Sequence, residues 1–157
     1  MPFNYQNFDE VFAFDLNCCH DEIAIQTIEK NRKTLEGLFL DRVLKMLRIK
    51  KRECQPSIHS RVIRVLNPFS ATKLYPANDN KKLRDLHEAI VKSDGADHHK
   101  ISILHYLLLD FDAPTGRREY STRFEKAAYL PEKYAIYMKG LWHMDRLEFE
   151  VSFSLVL

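Results

Sequence analysis

Glycine and proline are scarce in this chain. Four glycines and six prolines stand in 157 residues, where average usage of about 7% and 5% would give roughly nineteen. The shortage disfavours turn-rich sandwiches, and with no GxGxxG or Walker loop it also disfavours nucleotide folds built on glycine turns. Cysteine is rare as well. Cys18, Cys19 and Cys54 form no CxxC pair, their number is odd, and a chain of this size needs no staples, so a reducing compartment, cytosol or nucleus, fits best. Charge of one sign is missing too: 24 basic and 22 acidic residues leave +2, unlike a dedicated nucleic-acid binder. The longest strongly apolar stretch, Ile101 to Leu109, is broken by His105 and falls far short of the roughly 20 residues that span a bilayer. Met1 to Leu16 holds no Lys or Arg, which excludes a secretory or transit signal of the usual composition. A soluble protein without membrane insertion is expected.

What is present is the material of a core. A hydrophobic fraction of 45% excludes the disordered class, and the length predicts a single domain over residues 1–157. Helical spacing dominates. Asn7 with Glu10 three residues later predicts a short capped helix presenting Phe8, Val11, Phe12 and Leu16. Asp21 and Glu22 open a second through Ile23, Ile25 and Ile28, fading in the polar run Glu29 to Lys33. From Thr34, the residues Leu35, Leu38, Phe39, Val43, Met46 and Leu47 follow the i, i+3, i+4 rule, with Leu40 and Leu44 widening the stripe. Pro56, Pro68 and Pro76 then predict loop with at most a short helix around Ser57 to Leu66.

Asp79 opens a helix with Leu83, Leu86, His87 and Ile90 on one face and Gly95 as its exit. Asp97 opens the next, where Ile101, Leu104, His105, Leu108 and Phe111 form the inner stripe. Ile103, Leu107 and Leu109 make it apolar nearly all round, so it is expected to be central. Pro114 and Gly116 end it, and Tyr120, Phe124, Ala127 and Ala128 mark another. Pro131 occupies a first helical position before Tyr134, Tyr137, Met138, Leu141 and Trp142 at helical spacing; for Trp142, Tyr134 and Tyr137 core is the commoner reading and interface anchors are the alternative. A turn at Met144 to Arg146 leads to Leu147, Phe149, Val151, Phe153 and Leu155. The fold class is all-α, an irregular solenoid of packed antiparallel helix pairs. Such stacks need a polar terminal cap, and the apolar stretch Ser152 to Leu157 lacks one. The natural chain is therefore expected to continue beyond Leu157, or a partner to cover this end.

Candidate chemistry is thin. Asp97-His98-His99 spells the DHH of a phosphoesterase, and Asp110-Phe-Asp112 imitates the DxD of a metal-dependent phosphatase. Those sites require parallel strand ends, whereas here the acids open and close a helix. They read as an N-cap followed by exposed histidines and a solvated helix end. His87 and His105 lie on apolar faces, where a hydrogen-bonded core histidine is the usual case, and no GxSxG elbow occurs. No catalytic, cofactor or metal residue is assigned, and a metal-dependent phosphohydrolase using Asp97, His98, Asp110 and Asp112 is the remotest reading. Charge is polarised: Met1 to Ile25 carries Asp9, Glu10, Asp15, Asp21 and Glu22, while Lys45 to Arg64 holds seven cations against Glu53. Cations there suit the end of the preceding helix, and Lys50, Lys51 and Arg52 are the candidate partner-binding residues.

The segment Leu130 to Leu157 resembles the helix pair of the ELYS-like nuclear pore assembly family, whose pattern runs approximately LPxxY, GLWxxD and a phenylalanine before a leucine-rich helix. The matching positions are Leu130, Pro131, Tyr134, Gly140, Leu141, Trp142, Asp145 and Phe149, and Tyr106 to Phe111 resembles the hydrophobic helix upstream. The compact size is similar to fungal members that keep only the helical domain. The resemblance implies a non-enzymatic scaffold nucleoporin, without cofactor, attached to the Y-shaped outer-ring complex at the nuclear envelope. The implied partners are the arm that joins a β-propeller to a helical solenoid and the small β-propeller nucleoporin beside it. The chromatin-binding tail of animal members has no counterpart here, so direct nucleic-acid contact is not carried over. From the helical pattern alone, a helical-repeat adaptor outside the pore is the alternative.

Overall fold

The computed structural model describes residues 3–13, 22–46, 75–77, 79–114 and 119–149. Leu16, Leu47, the three cysteines, the basic residues Lys50, Lys51 and Arg52, the Ser57 to Leu66 segment and the apolar C-terminus lie outside them. Among the described residues there are seven helices and no strand: α1 (Phe8–Val11), α2 (Glu22–Thr34), α3 (Phe39–Met46), α4 (Asn80–Val91), α5 (Asp97–Asp112), α6 (Glu119–Ala127) and α7 (Glu132–Asp145). No helix among them is long and apolar enough to cross a membrane.

The predicted central helix is central. Ser102 through Leu109 of α5 are all buried, and α3, α4, α6 and α7 pack around it. A helix apolar on every side can be satisfied only by neighbours on every side. α4 also follows its pattern: the Asp79 side chain accepts from Lys82 N at 2.8 Å, and Leu83, Leu86, His87 and Ile90 are the buried face. It stops at Val91, before Gly95, because Ser93 Oγ donates to the Ile90 carbonyl (2.7 Å) and Lys100 Nζ to the Val91 carbonyl (2.8 Å). Side chains thus satisfy carbonyls that a glycine exit would otherwise serve.

Elsewhere the structure departs from the pattern. α2 does not fade at Glu29 but runs to Thr34, since Arg32 bridges Glu29 one turn back (2.8 Å) and Asp41 ahead (2.9 Å), while Ile23 of its apolar pattern is exposed. The third helix starts at Phe39 and not at Thr34. Glu36 and Gly37 adopt positive φ (54° and 117°), and Gly37 N donates back to the Arg32 carbonyl at 2.8 Å. That is the left-handed helix ending that reverses the chain. Two more helices end in the same way on non-glycine residues: Tyr129 (φ 54°), with Leu130 N on the Glu125 carbonyl, and Leu147 (φ 63°), with Glu148 N on the His143 carbonyl. Pro131 is the cap of α7, one residue outside it, and Tyr137, expected in the core, is 56% exposed. At the front, Asn7 caps α1 as predicted, but Glu10 reaches past it to accept from Asn4 N (2.6 Å).

The core is continuous from α1 to α7. Phe8 and Phe12 sit edge-on to His87 of α4 at 5.6 and 6.2 Å, and Phe12 meets Phe111 of α5 at 5.8 Å. His87 Nε2 pairs with the Tyr5 carbonyl at 2.9 Å, and burial pushes its pKa down, so it serves as a neutral core histidine.

Candidate functional site

One residue of the family-like motif, Asp145, gathers donors from two other helices. Asp145, the last residue of α7 and 4% exposed, accepts from Phe39 N (2.7 Å) and Leu40 N (3.1 Å), the first two residues of α3, and from Tyr106 Oη of α5 (2.6 Å). The first turn of any helix has amide hydrogens without partners inside the helix. Here they are met by a side chain 106 residues away. Asp41 completes the turn by accepting from Leu38 N at 3.0 Å, and its two oxygens are held by Arg32 Nε (2.9 Å) and Nη2 (3.1 Å). Arg32 Nη2 also donates to the Tyr75 carbonyl (2.9 Å).

Asp110 forms the second half of the cluster. It accepts from Trp142 Nε1 at 2.7 Å and from the Tyr75 hydroxyl, and the Tyr75 and Tyr106 rings meet edge-on at 6.2 Å. Burial pushes Asp145 above the usual carboxylate range although its three hydrogen bonds pull the other way, and the Asp41 charge adds to the rise. Burial raises both tyrosine hydroxyls well above their ordinary value, and the neighbouring carboxylates add to that, so both remain donors at neutral pH. Burial works against the Arg32 charge, but the Asp41 hydrogen bond and charge outweigh it and raise its pKa. Beside this cluster lies a cavity of about 540 Å³ whose wall includes Asn31, Tyr75, Asp110, Trp142, Asp145 and Glu148.

Chemically the cluster holds helices together. Its carboxylates are occupied by backbone amides, phenols, an indole and a guanidinium, and no group of three or more His, Cys, Asp or Glu able to hold a metal occurs among the described residues. The reading of Asp110 and Asp112 as a solvated helix end is overturned. Asp112 is 4% exposed and accepts from Tyr120 N (2.9 Å), Ser121 N (3.1 Å) and Ser121 Oγ (2.5 Å), which makes it the cap of α6. His98 and His99 are exposed, as expected, but Asp97 is the first residue of α5 and not its cap: the cap position is Ala96, and Asp97 Oδ1 accepts from the Tyr5 hydroxyl at 2.5 Å. His105 is fully buried with Nε2 2.6 Å from Glu125 Oε1, an oxygen that Lys139 of α7 also reaches at 3.2 Å. The pair ties α5, α6 and α7, and the His105 hydrogen bond holds the Glu125 carboxyl below its usual range.

The remaining motif positions divide by burial. Leu130, Gly140 and Leu141 are buried, Tyr134 and Trp142 half-buried, and Pro131 and Phe149 exposed, with Arg146 stacked 4.5 Å over the Trp142 ring. Sequence reasoning missed Arg32, Asp41, Tyr75, Tyr106 and Asp110 as partners of this motif. The available signal was an acid three residues into a helix start, Leu38 with Asp41, which marks an end whose cap must come from elsewhere.

No curated protein and no solved structure matches the chain. A family model described as ELYS, nuclear pore complex assembly, matches residues 37–157, a span that takes in α3 through α7 and every residue of the Leu130 to Phe149 pattern. The chain belongs to the ELYS nuclear pore complex assembly family.

Proposed function

We propose that this protein is a non-enzymatic scaffold nucleoporin that attaches to the Y-shaped outer-ring complex and supports pore assembly at the nuclear envelope. The family match over residues 37–157 carries the reading. The packing supports it, because a helical unit locked by buried carboxylates offers rigid outer faces, and rigid faces lower the ordering cost of association. In this reading the packed helices belong to an irregular solenoid, and the partners are the arm joining a β-propeller to a helical solenoid and the small β-propeller nucleoporin beside it. The basic segment Lys50, Lys51 and Arg52 forms the rim of that contact.

Surface plasmon resonance of the full chain against the reconstituted arm, at two salt concentrations, tests this. Rim charges govern association and salt dependence more than dissociation. The triple change Lys50→Glu, Lys51→Glu, Arg52→Glu should slow association and flatten its salt dependence, with the dissociation rate nearly unchanged. Unaltered association removes the segment from the interface. No binding by the wild type, together with a pull-down lacking other nucleoporins, would overturn the assignment in favour of an adaptor outside the pore.

A further inference from the structure

A second concavity, of about 570 Å³, opens where α3, α5 and α7 meet. Val43, Met138 and the rings of Tyr134 and Tyr137 supply its apolar wall, and Lys133 and His99 are its cationic or protonatable groups. Among the described residues no carboxylate lines it, in contrast to the cavity beside Asp145. Helical spacing would bury Tyr137 with Met138 and Leu141, yet Tyr137 is 56% exposed. The Tyr134 ring is braced on one side by His98 (5.4 Å between centroids) and approached by Lys133 Nζ at 5.1 Å.

Lys133 is the unusual member. It stands in the first turn of α7, the positive end of the helix dipole, where a cation is disfavoured. It also has no carboxylate partner among the described residues. The fold therefore gives this ammonium little beyond a ring face, and its field falls on an apolar groove open to solvent. Partly exposed tyrosines beside a cation that has no carboxylate partner among the described residues are the composition of an interface core with a charged edge, tyrosine being enriched at binding hot spots.

We propose that this groove receives an apolar segment flanked by Asp or Glu from the protein partner, its apolar side chain seated between Tyr134 and Tyr137 and its carboxylate paired with Lys133. The chemistry of the occupant follows from the groove, and its identity as part of the Y-complex arm rests on the proposed function.

The test places a photo-crosslinker in the groove, Tyr137→p-benzoyl-phenylalanine in the full chain, irradiates it with the reconstituted arm and maps the product by mass spectrometry. The expected product lies on a segment with Asp or Glu adjoining an apolar residue. In parallel, Tyr137→Asp should weaken binding to the arm by about tenfold or more, as hot-spot loss does. Lys133→Glu should weaken it several-fold, and changing the crosslinked acid of the partner to Lys should restore that loss. Lys133 is exposed, so its variant keeps the test valid if Tyr137→Asp disturbs folding. Wild-type binding with both variants unchanged overturns the groove and leaves the nucleoporin reading standing. A crosslink to a basic segment, or between two copies of this chain, also overturns it. Absence of wild-type binding instead overturns the nucleoporin reading and the partner named here.

Discussion

Two faces of α5 are held in different ways. Toward α3 and α7 the contacts are carboxylates on amides, phenols and an indole: Asp145 on Phe39 N, Leu40 N and Tyr106, and Asp110 on Trp142. Toward α1 and α4 they are rings on edges, Phe8 and Phe12 against His87 and Phe111. A ring contact fixes a distance and tolerates sliding. A carboxylate accepting two successive amides fixes an end, a direction and a register at once. The difference teaches where substitution is tolerated: apolar packing accepts another shape of similar volume, whereas a buried acceptor leaves unpaired donors behind when it is removed.

The largest expected effect breaks the first kind of contact. Asp145→Ala strands two backbone amides and a buried phenol, and at about 1–3 kcal/mol for each unsatisfied group it should cost about 4 kcal/mol by chemical denaturation. A loss below about 1 kcal/mol would show that water replaces the carboxylate and that the contrast is false. Trp142→Ala follows at about 3 kcal/mol, toward the low end for aromatic truncation because the ring is only half-buried. Asp112→Ala removes the α6 cap and should cost about 2 kcal/mol, read as a lowered midpoint with unchanged denaturant slope. Phe12→Leu, on the tolerant side, should cost about 1 kcal/mol. Equal losses for Phe12→Leu and Asp145→Ala would erase the comparison.

The smallest effect concerns pH. The Glu125 carboxyl is held below its usual range, first by the His105 hydrogen bond. A depressed folded pKa adds stability that is present above the ordinary glutamate range and is lost as pH falls through the folded value. Glu125→Gln should therefore make the acid limb of the melting-temperature profile shallower, by at most about one proton, and leave its neutral limb nearly parallel to the wild type. An unchanged acid limb would place the relevant proton elsewhere.

Legibility in the sequence divides along the same line. The rings and aliphatic stripes of α4 and α5 were readable because apolar periodicity is a local signal: Leu83, Leu86, His87 and Ile90 are the buried face that spacing predicts. The Leu130 to Phe149 resemblance was readable as a string of residue types. What those types do was not, since the partners of Asp145 and Trp142 lie up to 106 positions away and spacing carries no information about them. Asp110 and Asp112 were misread for the same reason. An acid at a helix end is solvated by default, and only the arrival of Tyr75, Trp142 and Ser121 makes it structural. Tyr137 erred in the opposite direction, sitting on the expected stripe while its neighbours leave it in water.

The cap that Asp145 places on α3 also bears on the order in which the chain is made. Phe39 and Leu40 emerge from the ribosome 106 and 105 positions before the carboxylate that satisfies their amides. Local turns can form as they appear, and Asp41 can close Leu38 N from within the same stretch. The first turn of α3 stays open to water until α7 has been synthesised and has docked, so completion of the early helix waits on a long-range closure late in translation. A nascent chain stalled before Asp145 would carry α3 with those two amides unsatisfied, a state that amide exchange on arrested chains can read directly at Phe39 and Leu40.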